Sequence, residues 1–365
     1  MATLLSLTHL DPARFDRPDV LKKLVAAHRR LAELKGMAAS MPNQGILINT
    51  LGLQEAKDSS EIENIVTTHD ELFREAAVAG TEGDGLSSAA AKEVARYSHA
   101  LRIGFESVRS SGLLTGQHIL QIQAALEKNR PGYRKIPGTV LRDGAGRTVY
   151  TPPSPEHLPN LMGDLERFIN DSELSSLDPL IKMALIHHQF ESIHPFYDGN
   201  GRTGRIVNVL YLVKEGLLTT PVLYMSRAIV QTKADYYLLL QTVRNLGHWE
   251  AWVLYMLGAV ERTAAEGITT IQAIKDLLLD YKHRIRARHK FYSQDLINNL
   301  FSHPYTKIEF VQQDLKVSRL TATKYLDRLT ADGFLRKRKV GRSNYYINEP
   351  LFQILTGEAP PMDES

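Results

Sequence analysis

Apolar residues recur every three to four positions along most of the chain, which is the spacing of amphipathic helices. Val20, Leu24 and Leu31 illustrate this spacing in the first such segment. Asp178 followed by Pro179 is a strong helix start, because the carboxylate can cap the first turn and proline fits its first position. The pattern predicts helices over residues 18–36, 46–57, 93–109, 117–128, 160–170, 178–193, 206–213, 234–240, 249–260, 267–290, 295–301, 306–315 and 320–331.

The spacing changes after residue 138. Residues 139–142 and 147–150 are strand-like and flank a turn that contains two glycines, which predicts a β-hairpin. Small polar residues and three glycines predict a loop over residues 75–88. Residues 350–365 are expected to form a mobile tail. The hairpin is the exception in a chain that is otherwise predicted to be helical.

The last hundred residues predict three short helices followed by a two-stranded ribbon, over 334–340 and 343–347. This arrangement resembles a winged helix-turn-helix. The resemblance directs the third helix toward a DNA major groove and the basic residues 336–339 toward phosphates. Winged helices also serve in dimerisation or protein docking, so both uses remain open. The groove-facing candidates are Ser318, Arg319, Thr321, Thr323 and Lys324.

Composition narrows the class of protein. Of 365 residues, 43% are hydrophobic and 23% are charged, as in soluble globular proteins. A net charge of +3 is too small to indicate nucleic-acid binding by itself. The lack of cysteine excludes disulfides, thiolate catalysis and cysteine-type zinc sites. No apolar stretch approaches the roughly 18 residues of a membrane span, and the first twenty residues do not resemble a secretory signal. A cytoplasmic protein with no membrane partner is therefore expected.

Residues 194–205 place a base, a carboxylate, three glycines and two arginines directly before a helical pattern. A glycine-rich loop that opens a helix presents free backbone N–H groups to an anion. Arg202 and Arg205 are three residues apart, so both can reach one polyphosphate. Asp198 is the kind of oxygen ligand that Mg²⁺ prefers, and His194 can accept a proton near neutral pH. The segment predicts a nucleotide site at which a nucleophile is activated.

The same segment resembles the core motif of the Fic family, HPFx(D/E)GNGRxGR, at every position. The resemblance implies a mainly α fold, in which a Fic helical bundle with a β-hairpin flap is followed by the winged helix. It implies transfer of AMP from ATP to a Tyr, Thr or Ser hydroxyl of a protein, with His194 as the base and Asp198 as the Mg²⁺ ligand. The implied ATP contacts are Gly199, Asn200, Gly201, Arg202, Thr203, Gly204 and Arg205.

An upstream segment carries a second resemblance. Ser59, Glu63 and Asn64 match the inhibitory motif (S/T)xxxE(G/N) of one Fic class. In that class the glutamate pairs with the second arginine of the core motif, here Arg205, and withholds it from the γ-phosphate of ATP. Ser60 and Glu63 also match a capping box, which would place them at a helix start. The inhibitory interpretation is favoured because a complete core motif follows.

Other parts of the chain match the Fic architecture less specifically. The hairpin resembles the Fic flap, which adds strand-like contacts to the main chain of the target. Tyr236 and Tyr237 resemble the Fic segment beside the base or ribose, with core packing as the alternative. His187 and His188 are expected to support the core and the site rather than to hold a metal with His194. The flap residues expected to dock the target are Thr139, Val140 and Leu141.

We therefore predict three regions: an N-terminal helical region (1–100) with the inhibitory helix, a Fic core (101–265), and a winged-helix domain with the tail (266–365). A Doc-like kinase is disfavoured, because that branch departs from the GNGRxGR sequence that this chain keeps. Two alternatives remain open: transfer of another nucleotide or phospho group, and a DNA-binding regulator that uses the Fic core as a nucleotide sensor. De-AMPylation, self-modification and homodimer formation also remain open.

Overall fold

The computed structural model describes residues 4, 6–77, 88–340 and 343–359. It is mainly α-helical, as predicted, with two small antiparallel sheets. Most of the loop predicted over 75–88, the turn of the C-terminal ribbon and the end of the predicted tail lie outside these residues. Among the described helices, none has both the length and the apolar character needed to cross a membrane.

Each predicted helix is present, although several have different bounds. The helices before residue 194 are α1 (Pro18–Ala39), α2 (Gly45–Ile62), α3 (His69–Ala76), α4 (Ala89–Ser111), α5 (Gly116–Glu127), α6 (Leu158–Asn170) and α7 (Pro179–Ile193). Those after it are α8 (Asn200–Lys214), α9 (Ser226–Gln231), α10 (Lys233–Leu246), α11 (Trp249–Arg288), α12 (Gln294–Ser302), α13 (Ile308–Leu315), α14 (Arg319–Ala331) and α15 (Glu349–Thr356). The strands are β1 (Leu141–Arg142), β2 (Thr148–Tyr150), β3 (Tyr305–Thr306), β4 (Arg336–Val340) and β5 (Ser343–Ile347).

Helices α7 and α8 form the centre of the larger helical region. Every side chain of α7 from Leu180 to Ile193 is buried, and so are most of those of α8. The predicted cap of α7 is present, with the Asp178 carboxylate accepting a hydrogen bond from the Leu180 N–H at 2.8 Å. Because residues 194–199 connect two buried helices, the motif is held on a rigid support.

The capping-box interpretation of Ser60 and Glu63 is wrong. Helix α2 does not end at residue 57 but continues to Ile62, so both residues lie at a helix end rather than a start. The next helix, α3, has its own capping box, formed by Thr68 and Glu71. Ser59 and Ser60 are fully buried, so tertiary packing keeps this polar stretch helical.

The two helices predicted over 249–260 and 267–290 form the single helix α11. Gly267 lies inside it without breaking it, and a Cβ added there would lie only 3.1 Å from Leu34 Cδ1 of α1. The glycine therefore allows α1 and α11 to pack closely. The predicted domain boundary at 265/266 falls within this helix, and the boundary at 100/101 falls within α4.

The C-terminal region contains the three predicted helices, α12 to α14, and the predicted ribbon of β4 and β5. Strand β3, which was not predicted, pairs with β5 to give the sheet order β3-β5-β4. The prediction of a mobile tail over residues 350–365 is partly wrong, because helix α15 forms there and buries the Leu351, Phe352 and Leu355 side chains. The winged-helix interpretation itself stays a prediction.

The basic side chains of β4 contact carboxylates within the chain. Arg336 pairs with Glu349, and Lys337 pairs with Asp327 at 2.9 Å. Arg338 reaches across to α3, where its Nη1 lies 2.9 Å from Asp70 Oδ1. The same Asp70 carboxylate binds Arg74 Nη2 at 3.0 Å and the Tyr305 hydroxyl. Three of the cations that the DNA-binding interpretation assigned to phosphates are therefore neutralised internally.

Candidate active site

The connection between α7 and α8 has a specific backbone shape. His194 ends α7 in the left-handed conformation, with φ +49°, and Gly199 precedes α8 with φ +76°. The Asn200 side chain closes the loop: its Oδ1 accepts from the Phe196 N–H and its Nδ2 donates to the Phe196 carbonyl, both at 2.9 Å. The amide that we expected to contact phosphate therefore shapes the loop.

The N-terminus of α8 is open toward an anion. Gly199 offers no side chain to cap it, so the first-turn N–H groups keep their capacity to bind a ligand. A Cβ added at Gly201 would lie 2.2 Å from Glu63 Oε1 and 3.0 Å from Arg205 Nη1. The glycine at position 201 is therefore needed for the close approach of the Glu63 carboxylate to this turn.

Arg205 is held by both residues of the upstream motif. Its Nε donates to Ser59 Oγ, and its Nη2 donates to the Ser59 carbonyl and to Glu63 Oε1, all at 2.8 Å. Glu63 is the C-cap of α2, and Asn64 follows with φ +64°. A left-handed residue after a helix end favours glycine or asparagine, which accounts for the (G/N) position of the motif. The structure thus brings Ser59 and Glu63 onto Arg205.

Arg202 has a different environment from Arg205. Its Nη1 lies 2.7 Å from Glu93 Oε1 of α4, and its Nη2 lies 2.9 Å from Glu127 Oε1 of α5. The side chain is only 2% exposed, so it anchors α8 to α4 and α5 in this conformation. The sequence did not indicate Glu93 or Glu127, because their relation to Arg202 exists only in the tertiary structure.

Asp198 lies at the surface with its side chain 77% exposed. Its Oδ1 accepts a hydrogen bond from the Gly199 N–H at 2.7 Å. The described part of the chain has no group of three or more His, Cys, Asp or Glu side chains suited to a metal ion. A single exposed carboxylate fits Mg²⁺ that takes its other ligands from phosphates and water, which is how this ion usually binds beside nucleotides.

A cavity of about 680 Å³ joins the flap, the end of α2, the motif and α10. The predicted site residues that line it are Glu63, Val140, Leu141, His194, Gly201, Arg205, Tyr236 and Tyr237. The lining also includes Glu191, Lys233, Gln241 and Arg244, which the sequence did not single out. The other predicted site residues are not part of this lining: Ser59, Thr139, Asp198, Gly199, Asn200, Arg202, Thr203 and Gly204.

The pKa values of His194 and Glu191, which both line the cavity, are shifted in opposite directions. Burial, together with the positive charges of Arg134 and Arg244, lowers the pKa of His194 to about 4. The imidazole is therefore neutral at pH 7 and able to accept a proton. Burial raises the pKa of Glu191 to about 7, and one of its oxygens lacks a hydrogen-bond partner in the described structure.

The tyrosine pair of α10 divides between core and cavity. Tyr236 is buried, and its hydroxyl lies 2.8 Å from His187 Nε2. Tyr237 is 44% exposed and offers an aromatic surface beside the cavity. His188 Nε2 bonds to the Leu240 carbonyl at 3.2 Å, and burial lowers the pKa of both histidines to about 3. His187 and His188 therefore act as neutral residues of the core.

Comparisons with known proteins agree with this architecture. The family model described as Fic/DOC family N-terminal matches residues 21–106, and the Fic/DOC family model matches residues 113–212. Together they cover just over half of the chain. A third model, protein adenylyltransferase SoFic-like, C-terminal domain, matches residues 277–351.

Individual proteins show the same relationship. Protein adenylyltransferase fic-1 of Caenorhabditis elegans is 32% identical over 131 residues, which is 36% of this chain and 24% of that protein. The chain thus matches about a quarter of that relative's length. A Fic family protein from Desulfovibrio desulfuricans G20 has a TM-score of 0.57 at 21% identity, covering 91% of this chain and 96% of its own. The structure of Fic-1 from C. elegans has a TM-score of 0.54 at 23% identity, and the match covers 70% of this chain and 74% of that one. The chain belongs to the Fic/DOC family.

Proposed function

We propose that the protein transfers AMP from ATP to the hydroxyl group of a Tyr, Thr or Ser side chain on a target protein. The observation that carries this proposal is the shared cavity, which contains a neutral histidine, a helix N-terminus, a buried arginine and the flap. The relatives named as protein adenylyltransferases support the same reaction.

In the proposed reaction, the target hydroxyl oxygen attacks the α-phosphorus while His194 takes its proton. The bond between the α-phosphorus and the oxygen bridging to the β-phosphate breaks, and pyrophosphate leaves. The first-turn N–H groups of α8 and the guanidinium of Arg205 receive the negative charge of the phosphates. A bound polyphosphate also favours the imidazolium form, which raises the pKa of His194 from its low resting value as the proton arrives.

Asp198 is the residue that would hold Mg²⁺, which neutralises charge on the α- and β-phosphates when bound. The Asp198 side chain is exposed beside the N-terminus of α8, so the ion and the backbone N–H groups would act on the same phosphates. In the present conformation Glu93 and Glu127 contact Arg202, so its proposed phosphate contact requires those pairs to open.

The flap is proposed to align the target. In β1, Leu141 pairs with Tyr150 and Arg142 pairs with Thr148, so only one edge of this short strand is used by β2. A target segment can add to the other edge through main-chain hydrogen bonds, which are independent of its sequence. Val140 and Leu141 line the same cavity as His194, so a docked hydroxyl side chain would face the base. Thr139 precedes this strand.

We further propose that Glu63 holds the enzyme in an inhibited state. Its carboxylate binds Arg205 and lies against Gly201, at the N-terminus of α8. A carboxylate in this position imitates a phosphate group and occupies the place proposed for the γ-phosphate of ATP. ATP must displace it to bind with its α-phosphate correctly placed.

The same carboxylate supports a second proposed activity, removal of AMP from a modified protein. The Glu63 side chain is 34% exposed and borders the cavity, so it can orient a water molecule toward a bound phosphodiester. Release of AMP from a pre-modified target, abolished in Glu63→Ala, is the expected result.

The proposed function is tested by incubating Glu63→Gly with α-labelled ATP in a cell lysate, with wild type and His194→Ala alongside. We expect labelled protein bands, including the enzyme itself if it is a substrate, with Glu63→Gly and none with His194→Ala. Unlabelled ATP, GTP, UTP and CTP are added as competitors. Stronger competition by another nucleotide would contradict the choice of ATP as donor.

A further inference from the structure

Arg134 binds the backbone on both sides of His194. Its Nε donates to the His194 carbonyl at 2.8 Å, and its Nη2 donates to the Ile193 carbonyl at 3.4 Å. The same Nη2 contacts the Pro153 carbonyl, and the Arg134 main-chain N–H donates to the Pro195 carbonyl at 2.9 Å. Arg134 is 2% exposed, so these carbonyl groups replace its hydration.

Arg244 binds the preceding residues of the same helix end. Its Nη2 donates to the Glu191 carbonyl at 3.1 Å, and its Nε donates to Ser192 Oγ at 3.0 Å. The guanidinium carbon lies 4.0 Å from the centre of the Tyr150 ring in the flap. The Tyr150 hydroxyl in turn donates to the Ser192 carbonyl at 2.9 Å. Arg244 thus connects the flap to the end of α7.

Together these contacts satisfy the C-terminal end of α7. The last carbonyls of a helix have no partner within it, and here each one from Glu191 to His194 binds Arg134, Arg244 or Tyr150. Neither arginine forms an ion pair with a carboxylate in the described part of the chain. Their charges are instead matched by the negative end of the helix dipole.

We propose that Arg134 and Arg244 are positioning residues of AMP transfer: they hold the end of α7 so that the His194 side chain faces the cavity. His194 needs such support, because a φ of +49° is uncommon for any residue other than glycine, although histidine adopts it more often than most. This inference rests on the proposed function, since it assigns His194 the role of base.

The charges around His194 explain how these arginines affect its protonation. Arg134 from the flap side and Arg244 from α10 both disfavour the imidazolium form. Glu63 at the end of α2 favours it, while Glu191 and Arg205 border the same cavity. Removing the charge of Arg244 should therefore let His194 become protonated at higher pH.

The test compares Arg244→Gln, Arg244→Lys, Arg134→Lys and Tyr150→Phe, each in the Glu63→Gly background. Arg109→Gln is the control, because Arg109 is exposed on α4, roughly 24 Å along that helix from Glu93, the residue of α4 that contacts Arg202. The readouts are kcat, KM for ATP, the pH dependence of kcat/KM, and the NMR titration of His194, identified by its loss in His194→Ala. Circular dichroism establishes that each variant is folded.

For Arg244→Gln we expect kcat to fall about 10- to 100-fold with KM for ATP nearly unchanged, as for a misplaced catalytic group. In this variant, the acidic limb of the kcat/KM profile and the NMR titration of His194 should both move to higher pH. Arg244→Lys and Tyr150→Phe should lower kcat without moving the acidic limb, since neither changes the charge. Arg134→Lys should also lower kcat, and Arg109→Gln should match the parent.

An unchanged kcat and His194 titration in Arg244→Gln would overturn the inference, as would a change in KM for ATP alone. If the Glu63→Gly parent transfers no AMP, the proposed function fails, whereas the His194 titration still tests the effect of the arginines. Should Arg134→Lys not fold, Arg244→Gln and Tyr150→Phe are sufficient to decide.

Discussion

Removal of the Glu63 side chain should strengthen ATP binding by an amount that the contact geometry indicates. Glu63 Oε1 and Arg205 Nη2 are 2.8 Å apart. In the proposed inhibition, this hydrogen bond breaks before the γ-phosphate binds the arginine. Hydrogen bonds to charged groups contribute about 1.5–3 kcal/mol. Because the Glu63 side chain is 34% exposed, solvent screening places its contribution near the lower value, about 1.5 kcal/mol. This corresponds to roughly tenfold tighter binding of ATP.

The assay is isothermal titration of Mg²⁺-ATP into His194→Ala and His194→Ala/Glu63→Gly, since loss of the proposed base is expected to prevent turnover. The matched control is Glu61→Gly, which removes a carboxylate from the same turn of α2, where it pairs with Lys57 at 3.1 Å. That control should leave the Kd for ATP unchanged. ADP lacks the γ-phosphate, so Glu63→Gly should increase the affinity for ADP less than the affinity for ATP.

Equal Kd values for ATP with and without Glu63 would refute the competition between the carboxylate and the nucleotide. An equal increase in affinity for ADP would place the competition at the β-phosphate instead of the γ-phosphate. An increase in ATP affinity in Glu61→Gly would show that loosening of α2, rather than loss of the Arg205 contact, causes the tighter binding.

Three further predictions concern groups that shape or support the site. Asn200→Ala should lower the free energy of unfolding in urea by about 2 kcal/mol or more, because it leaves the buried main-chain N–H and carbonyl of Phe196 unpaired. An unchanged free energy of unfolding would contradict the role of the Asn200 side chain in the loop. Burial raises the pKa of Glu191 to about 7 from an ordinary 4.5, so the folded chain holds this proton more tightly and stability falls as pH rises from 4.5 to 7. Between pH 5 and pH 8, the free energy of unfolding in urea should fall by up to about 3 kcal/mol because of this group. Glu191→Gln should not show this decrease. Identical pH dependence of the two proteins would refute the prediction. Asp70→Asn should destabilise the protein by about 3 kcal/mol, because it removes the charge of a buried carboxylate that binds Arg74, Arg338 and the Tyr305 hydroxyl. Limited proteolysis should then cut the C-terminal region faster, and equal cleavage would count against this contact.

Local patterns in the sequence were sufficient to predict much of the fold. The cap at Asp178, the hairpin after residue 138 and the three C-terminal helices all depend on neighbouring residues. Where the prediction failed, long-range packing decided the outcome. Gly267 remains helical because α1 approaches it closely, and the polar end of α2 remains helical because Ser59 and Ser60 are buried.

The site shows the same division. The motif at 194–205 indicates the chemistry because its residues act together within one turn and one helix. The surrounding charges could not be predicted: Glu93 and Glu127 reach Arg202 from other helices. Arg134 and Arg244 are single arginines in unremarkable sequence, and their role follows only from the carbonyl groups that they bind.

The central claim is that this cavity transfers the α-phosphate of ATP with its nucleoside. The most direct measurement compares α-labelled and γ-labelled ATP as donors for the Glu63→Gly variant, with mass spectrometry of the modified side chain. We predict that protein retains the α-label and an AMP group, that pyrophosphate is released, and that His194→Ala retains no label. Retention of the γ-label with release of ADP would contradict the account, because it would identify the protein as a kinase.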